Sequence, residues 1–288
     1  MPKATQSKIS WRRKLSNWIA LGAIIAATAV VTIPLFLIIG TVIFRGISGL
    51  NWAFFTQMPK PPGEVGGGMV NALVGSGLIL LIASAIGIPF GIGTGIYLAE
   101  YGRNAYGGIV RFTADVLNGV PSIVIGITAY ALVVVVQKHF SALSGGVALG
   151  IMMVPTVART TEEVLLLVPQ SVREAALGLG ISRWRTTLSV VVRTAMSGIV
   201  TGIMLAFARV AGETAPLMFT AFGNQFWNTS LNEPTAALPL QIYVYALGPF
   251  DEWHRLAWTG AFVLIALIAI TMILFRIATS RGIMKEST

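Results

Sequence analysis

The sequence predicts an all-α integral membrane protein with six transmembrane helices and both termini cytoplasmic. Three observations predict it. First, apolar and aromatic residues (Ala, Val, Ile, Leu, Met, Phe, Trp, Tyr, Cys) make up 55% of the 288 residues, and Asp, Glu, Lys and Arg only 11%. A soluble domain carries about 25% charged residues, so too few charges exist here to cover a surface in water. A mean hydropathy of +0.78 excludes a disordered chain as well. Second, six runs reach the roughly 20 apolar residues that a spanning helix needs: 18–44, 69–98, 109–136, 145–168, 188–222 and 256–278. They are continuous rather than alternating, which favours helices over a β-barrel. Third, basic residues segregate between alternate loops. Lys3, Lys8, Arg12, Arg13, Lys14, Arg103, Arg111, Arg173, Arg183, Arg185, Arg193, Arg276, Arg281 and Lys285 fall on one side, and only Arg45, Lys60, Lys138 and Arg255 on the other. Positive charge marks the cytoplasm. The net charge of +9 therefore reads as sidedness in a bilayer and not as affinity for nucleic acid.

Taken in order, a basic cytoplasmic segment, 1–17, precedes a single membrane domain, 18–288. Trp11 and Trp18 bracket the basic stretch as interfacial anchors. The first apolar run exceeds the 7–15 residues of a signal-peptide core and no A-x-A site follows it, so it is expected to stay as a helix. The Gly-rich stretch 63–68 is a flexible lead into span two. That span carries Ala83, Gly87, Gly91, Gly95 and Ala99 at four-residue intervals, hence along one face. Small residues at that spacing let another helix backbone approach closely, and Gly198, Gly202 and Ala206 repeat the device in span five. Pro34, Pro89, Pro121, Pro155 and Pro216 fall in five spans, where each removes a backbone hydrogen bond and bends its helix. His139 and His254 stand alone, without a second ligand nearby, and there is no cysteine, so neither a metal site nor thiol chemistry is expected. The outer segment 223–255, with Trp227, Tyr243, Tyr245 and Trp253, suits either a cap over the bundle or contact with an external partner.

The charges inside the spans carry more information. Span four contains Arg159, Glu162 and Glu163, and span five Arg209 and Glu213. A charge at mid-bilayer costs at least about 2.5 kcal/mol, so such residues are functional candidates. In both spans an acid follows the arginine by four residues, which lets each pair neutralise itself on one helix face. Val168 is nine steps along the helix from Arg159, about 14 Å, and with the lipid boundary near Gly198, Arg209 is eleven steps in, about 17 Å. Both arginines are thus expected near mid-depth. Facing each other across a water-lined cavity, two guanidiniums make a site for a tetrahedral oxyanion, which accepts their forked N–H donors.

The chain has no G-x-x-x-x-G-K-[ST], so ATP hydrolysis by a P-loop is excluded, and energy must come from a partner or an ion gradient. The cytoplasmic loop 169–187 contains Ser171 and Glu174 at capping-box spacing and Gly180 at a natural helix stop. A short helix over 172–179, capped by Ser171, is expected there, exposed and ready to engage another protein.

Glu174, Ala175 and Ala176, followed after three residues by Gly180, resemble the EAA loop of ABC importer permeases of type I. Val192-Arg193 stands where that family usually has Leu-Pro. The resemblance extends to Gly119-Val120-Pro121-Ser122-Ile123-Val124, to 159–163 and 208–217, to Leu238-Pro239-Leu240-Gln241-Ile242-Tyr243 and to the surroundings of Trp258, all similar to phosphate-importer permeases of the PstA type. It implies a multi-pass permease in a bacterial plasma membrane, paired with a related second permease of the PstC type. It also implies two ATPase subunits of the PstB type, which hold the ATP and magnesium, and an external phosphate-binding protein of the PstS type. No cofactor is expected on this chain. The EAA loop would be the coupling helix that docks on the ATPase, and Arg159, Glu162, Glu163, Arg209 and Glu213 would line the substrate path. Two alternatives remain open at this stage: a proton-coupled secondary anion transporter, and an ABC permease for sulfate, molybdate or phosphonate.

Overall fold

The computed structural model describes residues 11–285, with side chains to residue 277. Lys3 and Lys8 of the predicted basic segment lie outside the described residues, as do the side chains of Arg281 and Lys285. Apart from a single bridge between Phe222 and Thr235, regular structure in the described residues is helical. Long helices are α1 (Trp11–Ser48), α3 (Val70–Glu100), α6 (Ala142–Leu166), α8 (Arg183–Ala211) and α11 (Asp251–Lys285). Between them lie α2 (Trp52–Thr56), α4 (Ala105–Gly119), α5 (Ser122–Gln137), α7 (Gln170–Gly178), α9 (Ala215–Thr220) and α10 (Leu238–Leu247).

The bundle is built on α3 and α6. The five small residues of α3 are all buried, and α6 fills the space they leave. A Cβ on Gly87 would meet Met153 Cβ at 2.6 Å, one on Gly91 would meet Val157 Cβ at 2.6 Å, and one on Gly95 would meet the Ala158 carbonyl at 2.7 Å. Rising numbers on α3 face rising numbers on α6, so the two helices run parallel. The small-residue stripe expected from the sequence is therefore the main seam of the fold. On its other face α6 meets α8: Gly202 sits against Thr160 and Gly198 against Val164, an antiparallel register. Near its C-terminal end α1 packs on α11, where Gly46 abuts Phe262 and Arg45 lies 5.1 Å over the Trp258 ring. After its basic start at Arg12, Arg13 and Lys14, the stretch of α1 from Trp18 to Gly40 is largely exposed and apolar, as a surface facing lipid or another apolar helix must be.

Because α3 and α6 are parallel, the chain between them must return across the bundle. The sequence predicts one bent helix over 109–136 for this. Instead α4 and α5 meet at 106°. Val120 (φ −66°, ψ 132°) and Pro121 (φ −55°, ψ 135°) are both extended. Proline lacks the N–H to continue α4 and its ring pushes the preceding residue out of the helical region, so two successive residues leave the helix and the span breaks. The fifth span also differs from expectation. It ends at Ala211, not near 222, and Pro216 sits in the first turn of the separate α9, where a missing N–H costs nothing. Pro34, Pro89 and Pro155 lie inside continuous helices. At the end of the bundle where α3 begins, Tyr245 of α10 is buried and stacks on Trp253 at 4.6 Å between centroids. These two therefore belong to a packed cap, whereas Phe226 and Trp227 are exposed.

Candidate functional site

Two arrangements stand out, both dependent on α6. The first is a chain of charges. Glu162 is 2% exposed and both of its oxygens are taken: Arg111 Nε donates to Oε1 at 2.5 Å and Arg159 Nη1 to Oε2 at 2.5 Å. Arg159 Nε lies 2.9 Å from Asp115 Oδ1. Arg111 in turn donates from Nη1 to the Gly102 carbonyl at 2.9 Å and from Nη2 to the Leu98 carbonyl at 2.8 Å, satisfying acceptors that the end of α3 leaves open. The break at Pro121 makes this possible. It lays α4 against α6, a contact tightened by Thr156 Oγ1 donating to Asn118 Oδ1 at 2.9 Å. Arg111 and Asp115, four apart, then point from one face of α4 at the Arg159–Glu162 face of α6.

Several sequence expectations are corrected here. Arg159 pairs with Glu162, three residues on, while Glu163, the acid at the fourth residue, is exposed. The helical face that carries Glu162 is the one that α4 covers. Arg209 and Glu213 do not form the predicted pair on one helix: α8 stops at Ala211, Glu213 lies beyond it, and among the described residues neither makes an ion pair. The two arginines are not level either. The Gly202–Thr160 and Gly198–Val164 contacts bring Arg209 level with Met153, six residues from Arg159, a stagger of about 9 Å. Arg209 is exposed. Arg111 and Asp115 were missed as site residues; an arginine with an acid four residues later was the signal that could have found them.

The second arrangement is the loop after α6. The expected short helix is present as α7, but its N-cap is Pro169 and no side-chain cap forms. Ser171 lies inside the first turn, so the predicted Ser171–Glu174 capping box does not form. Gly180 does terminate the helix, with φ +80°. Its N–H donates to the Leu177 carbonyl at 2.9 Å and the Ile181 N–H to the Ala176 carbonyl at 3.2 Å, the paired bonds of a Schellman stop. Ala176 is buried, whereas Glu174 and Ala175 face outward.

What holds α7 to the bundle is Arg173, which the sequence did not single out. Its Nη2 and Nε donate to Glu100 Oε1 at 2.8 and 3.1 Å, Nη2 also to the Leu165 carbonyl at 2.8 Å, and Nη1 to the Val168 carbonyl. Arg183, at the start of α8, donates to the Glu100 carbonyl at 2.8 Å and lies over the Tyr101 ring. The ends of α3 and α6, all of α7 and the start of α8 thus meet at one joint, beside a cavity of about 400 Å³ lined by Glu100, Arg103, Arg173 and Arg183 among others. Arg173 thereby ties α7 to both members of the central α3–α6 seam.

Comparison with known proteins gives the family. Residues 91–281 match the family described as binding-protein-dependent transport system inner membrane component. Along 96% of its length the chain is 45% identical to the phosphate transport system permease protein PstA of Yersinia pestis, covering 93% of that protein. It is 44% identical to the PstA of Haemophilus influenzae, over 95% of this chain and 96% of that one. Among solved structures, an inward-facing form of the MetNI methionine ABC transporter aligns with a TM-score of 0.57 at 16% identity, over 75% of this chain and 96% of that one, a likeness of fold. A multi-pass chain matched to that family over residues 91–281, and to its phosphate-permease members over most of its length, belongs to the binding-protein-dependent transport system inner membrane components.

Proposed function

We propose that this chain is the transmembrane permease subunit of an ATP-driven phosphate importer in a bacterial plasma membrane. It forms half of the translocation path beside a related second permease. Two ATPase subunits bind ATP and magnesium, and an external phosphate-binding protein delivers the anion. The chain performs no covalent chemistry. Within it, residues 18–288 form the permease domain, α7 is the coupling helix offering Glu174 and Ala175 to the ATPase, and Arg159 and Arg209 receive the anion in succession. The stagger between them suits a relay better than a single two-arginine site.

The observation that carries the reading is the Arg173–Glu100 joint. A helix that presents an outward carboxylate on one side and is bonded to two spanning helices, α3 and α6, on the other has the construction of a lever, and a proton-coupled transporter has no use for it. The substrate rests on the guanidinium chemistry and on the relatives' names. Purification of the chain with its associated proteins, followed by ATPase assay in the presence of phosphate, sulfate and molybdate, tests the reading. Stimulation by phosphate above the other anions is expected. Stimulation by sulfate or molybdate alone, or the absence of any copurifying ATPase, would overturn it.

A further inference from the structure

A guanidinium grips an oxyanion most strongly with two parallel N–H groups along one edge. Arg159 has two such edges, and each has a protein carboxylate on it. Glu162 takes Nη1, on the end-on edge, and Asp115 lies at Nε, on the side-on edge. The two carboxylates are not equivalent. Glu162 is 2% exposed and is held at its other oxygen by Arg111, itself bonded to two backbone carbonyls. Displacing it would leave one oxygen of a buried carboxylate unpaired and disturb its bond to Arg111, a costly outcome. Asp115 has a side chain 56% exposed, and among the described residues it makes no second ion pair. It can leave Arg159 without breaking a second ion pair and without uncovering a buried group. The four side chains are neutral together; without Asp115 the remaining three carry one positive charge, facing the open edge.

We infer that Asp115 is a displaceable counter-ion: it occupies the Nε edge of Arg159 and must be replaced there by the incoming tetrahedral oxyanion, then returns to expel it. This deepens the proposed function and rests on it for the identity of the anion. Asp115 sets how tightly the path holds its cargo. A carboxylate that competes for one guanidinium edge weakens anion binding and speeds release.

The test uses the complex of both permeases and the ATPase, without the binding protein, so that only the membrane path binds anion. Equilibrium binding of labelled phosphate, sulfate and molybdate is compared for wild type, Asp115→Asn and Asp115→Glu, alongside uptake by the complete system and the thermal midpoint of each complex. Asp115→Asn keeps the shape and removes the competing charge. Given the exposure of the pair, phosphate binding is expected to tighten about threefold to tenfold, while maximal uptake falls because release slows. Asp115→Glu, which retains the competitor, is expected near wild-type affinity. Tightening toward sulfate in place of phosphate would support the counter-ion and overturn the phosphate reading. Unchanged affinity for every anion, with wild-type phosphate uptake or with a lowered thermal midpoint only, would overturn the counter-ion and leave the phosphate reading standing.

Discussion

Replacing Arg173 by Gln should disconnect the coupling helix from the permease body. The side chain donates to Glu100, to the Leu165 carbonyl and to the Val168 carbonyl, and Arg173 and Glu100 are only 13% and 8% exposed. Removing one partner of a buried pair costs about 3–5 kcal/mol, because the other charge is left without compensation. Glutamine can still reach one acceptor, so the lower figure, about 3 kcal/mol, is the better guide. If that loss is local, the opening of α7 away from α3 becomes roughly a hundredfold more frequent. Two assays read it. Hydrogen exchange should accelerate by about that factor at the α7 amides, which the joint protects, but not in the middle of α3. In the assembled transporter, phosphate moved per ATP hydrolysed should fall, because the ATPase then moves a helix that no longer pulls on α3 and α6. Glu174→Gln, on the exposed face of the same helix, is the contrast: it should weaken docking without accelerating exchange in α7. Wild-type exchange together with a wild-type transport ratio in Arg173→Gln would refute the reasoning.

Gly180 has φ +80° and nothing within 4 Å of a built Cβ, so substitution there meets strain and no clash. Gly180→Val should cost about 1–2 kcal/mol of local strain and break coupling while insertion is preserved, whereas Gly180→Asn should be tolerated; uptake at matched protein level checks both. Gly95→Val places a Cβ 2.7 Å from the Ala158 carbonyl, a backbone atom no rotamer change can move, while a Cβ on Gly93 meets nothing. Overpacking of about 1–3 kcal/mol should lower the thermal midpoint of Gly95→Val in detergent and leave Gly93→Val near wild type. Arg209→Lys keeps the charge but loses the planar fork, so it should transport poorly and Arg209→Gln hardly at all, in assembled complexes. Since Arg209 and Glu213 form no ion pair, adding Glu213→Gln should restore nothing; recovery of uptake in that double variant would leave the pair structural.

The legible parts of the fold were those set by short-range periodicity. Four-residue spacing of small residues in span two identified the face that meets α6, because close helix approach leaves room only for such side chains. The Gly180 stop was legible because few other residues adopt its conformation without strain. What periodicity could not supply was where a helix ends. Four-residue spacing pairs Arg209 with Glu213 only if the helix runs on past Gly212, and it stops one residue earlier. In the same way, Ser171 caps a helix only if the helix starts after it, and Pro169 starts it sooner. Pairs distant in sequence were out of reach. Arg173 with Glu100 and Arg111 with Glu162 are 73 and 51 residues apart, and the second exists only because the chain breaks at Pro121. A proline in an apolar run signals a bend, and nothing local separates a mild bend from one of 106°.

In the proposed function, this chain moves phosphate by movements that an ATPase imposes through α7. The most direct test is phosphate uptake into liposomes holding both permeases, with or without the ATPase subunits, with the binding protein outside and either ATP inside or a proton gradient across the membrane. Uptake is expected only when ATPase and ATP are both present, and it should be lost in Arg173→Gln with ATP hydrolysis continuing. Uptake driven by the proton gradient in liposomes that lack the ATPase would contradict the account and make the chain a secondary anion transporter.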